Sequence, residues 1–507
     1  MSPFDPAHYE SLLKGLEITE LLLSEVARES TKLRLDSGYF AKPMLAADAQ
    51  IRRYPNGYDE LGRLFSRFVK GVFDISADTY ARAGVPFLRI LNLKDGLIDE
   101  SNLVLIPQET HQKEIKTELR RGDVVLSKTA YPAASLVTLS RCNTSQDTIA
   151  TTLSPYGAAT YRPEAIVAYL NSAVGQRLLW RQFQGNVQLH LSLDDGRKVP
   201  VPKLGGELQE LLARTVQKAE AALVSSREEM AAAEAEVLED CGLRTWQAPQ
   251  ALAYECSSSV VLTAKRIDAE YFHPAKGAAL AALKERSGQT VGELCTSVRD
   301  VWNPDDDSGP PLVRNYDLAD ALVPFLDRNK ALIDKTTISS VKKKIIPGDL
   351  VVSRLRSYLK EIAVVPSRLE GLTVASTEFI VLRPKDSEGV PVEALLLYLR
   401  SALPQVVLKW SQDGSNHPRF DEKELLRLPV PRAVIQEANK YAAAVGAIIR
   451  SRERAKELLS AAKRAVGIAI ERTEEAACEY LNCVIHEEET RLHQKPKHLR
   501  NESTTEE

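Results

Sequence analysis

Cysteine is scarce and scattered in this 507-residue chain: Cys142, Cys241, Cys256, Cys295, Cys478 and Cys483 stand far apart and form no Cys-x-x-Cys pair. A disulfide framework or a zinc ribbon needs clustered cysteines, so both are excluded, and the thiols read as ordinary ones in a reducing cytosol. Histidine is scarce too, with eight residues and no metal-ligand spacing among them. No apolar run approaches the roughly 18 residues that a membrane helix needs. Met1 to Glu10 is polar and lacks the apolar core of a signal peptide. These absences predict a soluble, cytoplasmic protein with no membrane partner. Neither sign of charge dominates, with 66 Lys and Arg against 69 Asp and Glu and a net charge of −3. A uniformly basic nucleic-acid binder is excluded; a locally basic one is not.

Catalytic signatures are missing as well. There is no Gly-x-x-x-x-Gly-Lys-Ser/Thr phosphate loop, no Gly-x-Gly-x-x-Gly after a strand and no Gly-x-Ser-x-Gly elbow. His486-Glu487-Glu488-Glu489-Thr490 lacks the second histidine of a zinc-protease helix. Asn303-Pro304-Asp305-Asp306 lacks the aromatic residue that stacks on a flipped base in amino-methyltransferases. Asp421-Glu422-Lys423 reads as a solvated turn opening a short helix rather than as a nuclease tail. The chain is therefore expected to carry no catalytic residue, metal or cofactor, and not to be an enzyme.

What the chain has is repetition, which fixes architecture before any motif does. Arg34-Leu35-Asp36-Ser37-Gly38-Tyr39-Phe40 returns as Arg266-Ile267-Asp268-Ala269-Glu270-Tyr271-Phe272, and Gly122-Asp123-Val124-Val125-Leu126-Ser127-Lys128 as Gly348-Asp349-Leu350-Val351-Val352-Ser353-Arg354. A longer stretch then matches at a constant shift of 229, from Glu164 and Tyr169 against Glu393 and Tyr398 to Pro200-Val201-Pro202 against Pro429-Val430-Pro431. Three blocks in one order mark a tandem duplication. After each Pro-Val-Pro comes a proline-free run of helix formers, Glu207 to Leu243 and Ile435 to about Cys478, each with an apolar stripe at helical spacing. Each helix would be roughly 50 Å or more long. Each stripe needs a partner, and the other copy is the obvious one.

The predicted fold is α+β: two tandem-duplicated mixed α/β domains separated by two long helices paired as an antiparallel coiled coil. In residues these are an N-terminal helical segment (1–34), domain 1 (35–204), helix 1 (205–243), a connector (244–263), domain 2 (264–431), helix 2 (432–478) and a C-terminal tail (479–507). Val124 to Ser127, Leu350 to Ser353 and Phe379 to Leu382 read as strands, and Pro163 to Leu179 and Val392 to Leu403 as helices.

Residues Lys330 to Lys360 hold eight Lys or Arg against two Asp. Lys342, Lys343 and Lys344 precede the Gly348-Asp349 turn, and Arg354, Arg356, Tyr358 and Lys360 follow the strand. Strand alternation would put Arg354, Arg356 and Tyr358 on one face. Domain 1 offers Arg120, Arg121, Lys128 and Tyr131 at the same repeat position. Arginine can bond guanine in bidentate fashion while lysine holds the phosphates. A second pair of loops, Gln184-Gly185-Asn186-Val187-Gln188-Leu189-His190 and Asp413-Gly414-Ser415-Asn416-His417-Pro418-Arg419, shares a glycine frame but differs in polar residues. Asn186, Gln188 and His190, with Asn416, His417 and Arg419, complete the candidate base readers, so two copies would read two different half-sites.

The order Arg-x-Asp-x-x-Tyr-Phe, Gly-Asp-x-Val-x-Ser, glycine-framed loop, Pro-Val-Pro and long helix, occurring twice over nearly the whole chain, resembles the specificity subunit of type I restriction–modification systems. That resemblance implies two target-recognition domains, each reading half of a split double-stranded DNA sequence, with the paired helices setting the spacing. It implies as partners two DNA adenine methyltransferase (modification) subunits and restriction/translocase subunits. S-adenosylmethionine, ATP and Mg would be bound by those partners rather than by this chain. The alternative is a non-catalytic adaptor of another multi-subunit phage-defence complex that does not itself read DNA.

Overall fold

A computed structural model describes residues 5–16, 18–29, 34–73, 75–94, 96–185, 188–305, 309–386 and 389–493. Asn186, Val187, Asp306 and most of the expected tail lie outside the described residues. The chain divides into two compact units, Met1–Ala222 with Arg454–Glu507, and Leu223–Glu453. Both mix helices and strands, and no described helix is long and apolar enough to cross a membrane.

In the first unit the central strand Val124–Ser127 lies between Thr148–Leu153 and Ala134–Leu136, antiparallel to both, and Phe65–Lys70 flanks Thr148–Leu153. A second sheet pairs Val85–Leu88 in parallel with Arg141–Thr144. In the second unit Leu350–Ser353 lies between Phe379–Pro384 and Ile362–Val364, with Cys295–Val298 outermost, and Leu312–Tyr316 runs parallel to Thr373–Ala375. Val124, Val125 and Leu126, like Leu350, Val351 and Val352, are all buried. Such strands are covered on both faces, which is why their sequences are continuous apolar runs instead of alternating ones.

The repeated motifs turn out to be scaffold. Gly122 and Gly348 have φ of 91° and 84°, the left-handed region open to glycine. The following aspartates close the turn: Asp123 accepts the amide of Arg120 and Asp349 that of Ile346, both at 2.9 Å. Arg383 from the neighbouring strand holds the buried Asp349 at 2.8 and 2.9 Å, and Arg67 reaches Asp123 at 3.4 Å.

The Arg-x-Asp-x-x-Tyr-Phe motif is a tether. Arg34 binds Asp36 through two bonds, reaches the carbonyl of Phe183 at 3.2 Å, and lies 4.3 Å over the ring of Tyr39. Arg266 does the same with Asp268, the Gln412 carbonyl at 3.1 Å and the ring of Tyr271 at 4.3 Å. Each tether therefore ends at the entrance to a glycine-framed loop. A second buried cation stacks on each tyrosine: Arg181, paired with Asp48, on Tyr39, and Lys276, paired with Glu424, on Tyr271. The matched Tyr169 and Tyr398 donate to the carbonyls of Pro200 and Pro429. Those prolines open the strands Pro200–Pro202 and Pro429–Pro431, which pair antiparallel with Tyr58–Glu60 and Ser287–Thr290.

The long helices run Gly206–Asp240 and Ala438–Glu471. In the second unit Asp240 meets Lys440 and Tyr441 while Ser226 faces Ile448, an antiparallel contact. In the first unit Val216 lies by Leu459 and Ala462, and Glu474 accepts the amide of Gly205 at 2.9 Å, again antiparallel.

Three expectations change. Residues 479–493, assigned to a C-terminal tail, belong to the helix Glu474–His493, because Ala477, Leu481 and Ile485 fall four apart and are all buried. The single helices expected at 163–179 and 392–403 are each two. Ser172 opens Ala173–Gln182 by accepting the amide of Gly175, and both Ser172 and Ser401 donate to the last carbonyl-bearing tyrosine before the break. Finally, the N-terminal segment contains only the short helices Pro6–Leu13 and Leu23–Glu29 among its described residues.

Candidate nucleic-acid interface

At the end of each central strand the chain turns sharply and meets the glycine-framed loop. In the first unit the amide of Ala130 donates to Leu189 and the amide of Leu191 to Lys128, at 3.1 and 2.8 Å. In the second unit the amide of Arg356 donates to Pro418 and the amide of Phe420 to Arg354, at 2.9 and 3.1 Å. These are the same two hydrogen bonds at matching repeat positions. Within each clamp one non-glycine residue is left-handed, Ala130 at φ 62° and Arg356 at φ 49°. That conformation costs roughly 1–2 kcal/mol and persists only where the surroundings over-determine it. Gly185, at φ 118°, has no room for a side chain, since a Cβ there would stand 2.4 Å from the Gln188 carbonyl oxygen.

The clamp assembles Lys128, Tyr131, Gln188 and His190 in the first unit, and Arg354, Arg356, Asn416, His417 and Arg419 in the second, with Tyr358 on the same loop. Tyr131 and Tyr358 are 41% and 61% exposed. Burial, and then the neighbouring charge of Lys70, lower the affinity of the Lys128 amine for its proton. Lys70 itself lies 4.6 Å from the ring of Phe73, which is 70% exposed.

The sequence expectation that Arg354, Arg356 and Tyr358 share a strand face does not hold. The strand ends at Ser353, because the Ser353 hydroxyl takes the amide of Leu355 and the chain then enters the left-handed turn and a short helix, Ser357–Leu359. Arg354 and Arg419 converge on Glu378 instead, at 3.0 and 2.8 Å. Arg419 first, and then Arg354, hold that carboxyl below its usual range. Lys343 donates to the carbonyl of Phe379 at 2.7 Å, beside the same cluster, and burial lowers its proton affinity. The Arg356 side chain makes two long contacts, to the Asn416 carbonyl at 3.4 Å and His417 Nδ1 at 3.3 Å; no carboxylate among the described residues lies within ion-pair distance, although the charge of Arg356 acts on the buried Glu361.

Other candidates lie elsewhere. Arg120 and Arg121 precede the central strand, at its far end from the clamp; Arg120 pairs with Glu118 and Arg121 with Glu220 of the first long helix. Lys342 and Lys344 alternate away from Lys343 and pair with Asp317 and Asp300. Lys360 turns to Glu234 of the long helix at 2.8 Å. Asn186 lies outside the described residues. Sequence reasoning missed Lys70, Phe73 and Glu378. An aromatic residue beside a strand-end lysine was a usable signal, whereas nothing local marks Glu378, which sits 24 residues from Arg354 and 41 from Arg419.

No protein-family model and no curated protein matches the sequence. Solved structures do. A type I restriction–modification system S subunit from M. genitalium is 11% identical, with 84% of this chain and 95% of that chain covered and a TM-score of 0.33. An HsdS subunit from Thermoanaerobacter tengcongensis is 16% identical, over 83% of this chain and 97% of that chain, with a TM-score of 0.24. A third structure, concerned with complex assembly and conformational transition of a type I R-M system, is 16% identical over 85% and 98%, also with a TM-score of 0.24. Two of these three structures are thus S subunits of type I restriction–modification systems, and the third concerns a system of the same type.

Proposed function

We propose that the chain is a non-catalytic, sequence-specific DNA-binding subunit of a type I restriction–modification complex, built of two duplicated target-recognition domains. One observation carries this reading: the same two-bond clamp recurs once per unit, holding the same backbone but different polar side chains. A shared frame with unlike readers suits a bipartite target whose two halves differ. Lys128, Lys70 and Lys343 supply phosphate contacts, and the clamp loops, Arg356 among them, face base edges in the major groove. The antiparallel long helices act as a coiled-coil spacer between the half-sites and as a scaffold for two adenine methyltransferase subunits and the restriction subunits. Methyl transfer with S-adenosylmethionine, and ATP- and Mg-dependent steps, belong to those partners. The place of action is the cytoplasm.

Selection of duplexes from a randomised library by the full-length chain tests the reading. The expected result is one motif of two fixed half-sites around a spacer of constant length. Binding to that motif should weaken steeply with salt, because each neutralised phosphate releases counterions. Binding without sequence preference would reject the reading and favour an adaptor role.

A further inference from the structure

The two clamps share a backbone but differ at its tip. Counting from the repeated Gly-Asp turn, Ala130 and Arg356 occupy the same position; each is left-handed, and each amide is bonded to the glycine-framed loop. One tip carries a methyl group and the other a guanidinium. Of the arginines in the second clamp, Arg354 and Arg419 are occupied by Glu378, while Arg356 keeps only its two long contacts through one terminal nitrogen.

We propose that this left-handed residue is the specificity-determining position of each unit: Arg356 reads a guanine in its half-site, and Ala130 leaves the corresponding base of the other half-site without such a contact. The inference rests on the DNA-reading function proposed above. A guanidinium presents two parallel N–H donors, which match the O6 and N7 acceptors of guanine and no other base in the major groove. The clamp holds its backbone in a conformation that an unconstrained arginine avoids, so the point from which the fork extends is fixed before DNA arrives. Arg354, Arg419 and Glu378 then serve as positioning residues that hold the 416–419 loop against the tip.

The test repeats the duplex selection with Arg356→Gly, Arg356→Lys and Ala130→Arg. Glycine suits the left-handed backbone, so the first variant removes the guanidinium without disturbing the turn. Lysine keeps the charge and loses the fork. Both are expected to lose a guanine preference of about 10- to 100-fold at one position of one half-site, leaving the other half-site unchanged. Ala130→Arg is expected to add a guanine preference at one position of the other half-site. Affinity lost uniformly across sequences, with a salt slope shallower by about one, would make Arg356 a phosphate contact and overturn the proposal. An unaltered motif in both Arg356 variants would overturn it too. If the unmodified chain selects no motif at all, the DNA-reading function fails rather than this assignment alone.

Discussion

Replacing Glu424 by alanine is expected to destabilise the second unit by about 3–5 kcal/mol, because it strands a buried ammonium. Lys276 is only 5% exposed, lies 3.4 Å from the centre of the Tyr271 ring and has its carboxylate partner, Glu424, at 3.0 Å. Glu424 also accepts from Tyr271 and Ser411, at 2.9 and 3.0 Å. Burial alone would raise the Glu424 carboxyl; the ammonium of Lys276 and these hydrogen bonds outweigh it and hold the group below its usual range. Its folded value lies below its unfolded one, so its stabilisation is present above the unfolded value near 4.3 and is lost as pH falls through the folded value. Burial pushes Lys276 the other way, below the ordinary lysine value, with Glu424 opposing. Denaturant melts of the full chain should show the second unit's transition moving in Glu424→Ala, and should show this acid sensitivity in the native chain but not in the variant. A double change, Lys276→Met with Glu424→Gln, should recover much of the loss, since no unpaired charge remains.

The other large effect is expected at Gly175, in the first unit. A Cβ there would stand 2.0 Å from the carbonyl oxygen of Tyr169 and 2.8 Å from the Cα of Leu170, both backbone atoms. Gly175 lies in the first turn of the helix Ala173–Gln182, whose end delivers the Phe183 carbonyl to Arg34 and so begins the Gln184–His190 loop. Gly175→Ala must push the helix away from the one before it, at a cost of about 3 kcal/mol by the measure of overpacked cores. Gly414→Ala is the control. That glycine is left-handed at φ 93°, but a Cβ would meet nothing nearer than 3.6 Å, so the cost should stay near 1 kcal/mol. Equal losses in the two variants would contradict the close-packed junction.

How much of this was legible in the sequence follows from what a local pattern can hold. The central strands could be read because three apolar residues after a Gly-Asp turn, closed by a serine, leave few alternatives. The long helices could be read because propensity and apolar spacing agree over more than thirty residues. The clamp was half legible. Both loops were identifiable by glycine and charge, but their union depends on four backbone hydrogen bonds between segments some sixty residues apart, such as Arg356 to Pro418, which no local signal encodes. Charge misled for the same reason. Arg120, Arg121, Lys342, Lys344 and Lys360 look available in sequence, yet each is paired with a carboxylate, Arg120 with Glu118 two residues away and the other four with groups brought from distant segments. Arg354 and Arg356 are two residues apart and differ in role because the backbone becomes left-handed at Arg356.

The most direct test of the central claim is the adenine methylome of the host, sequenced with and without the gene for this chain. The account predicts that deletion abolishes methylation at one split motif and at no other. It also predicts that exchanging residues 35–204 for the matching domain of a type I specificity subunit alters one half of that motif only. A methylome unchanged by deletion would contradict the claim that this chain directs a methyltransferase to its target.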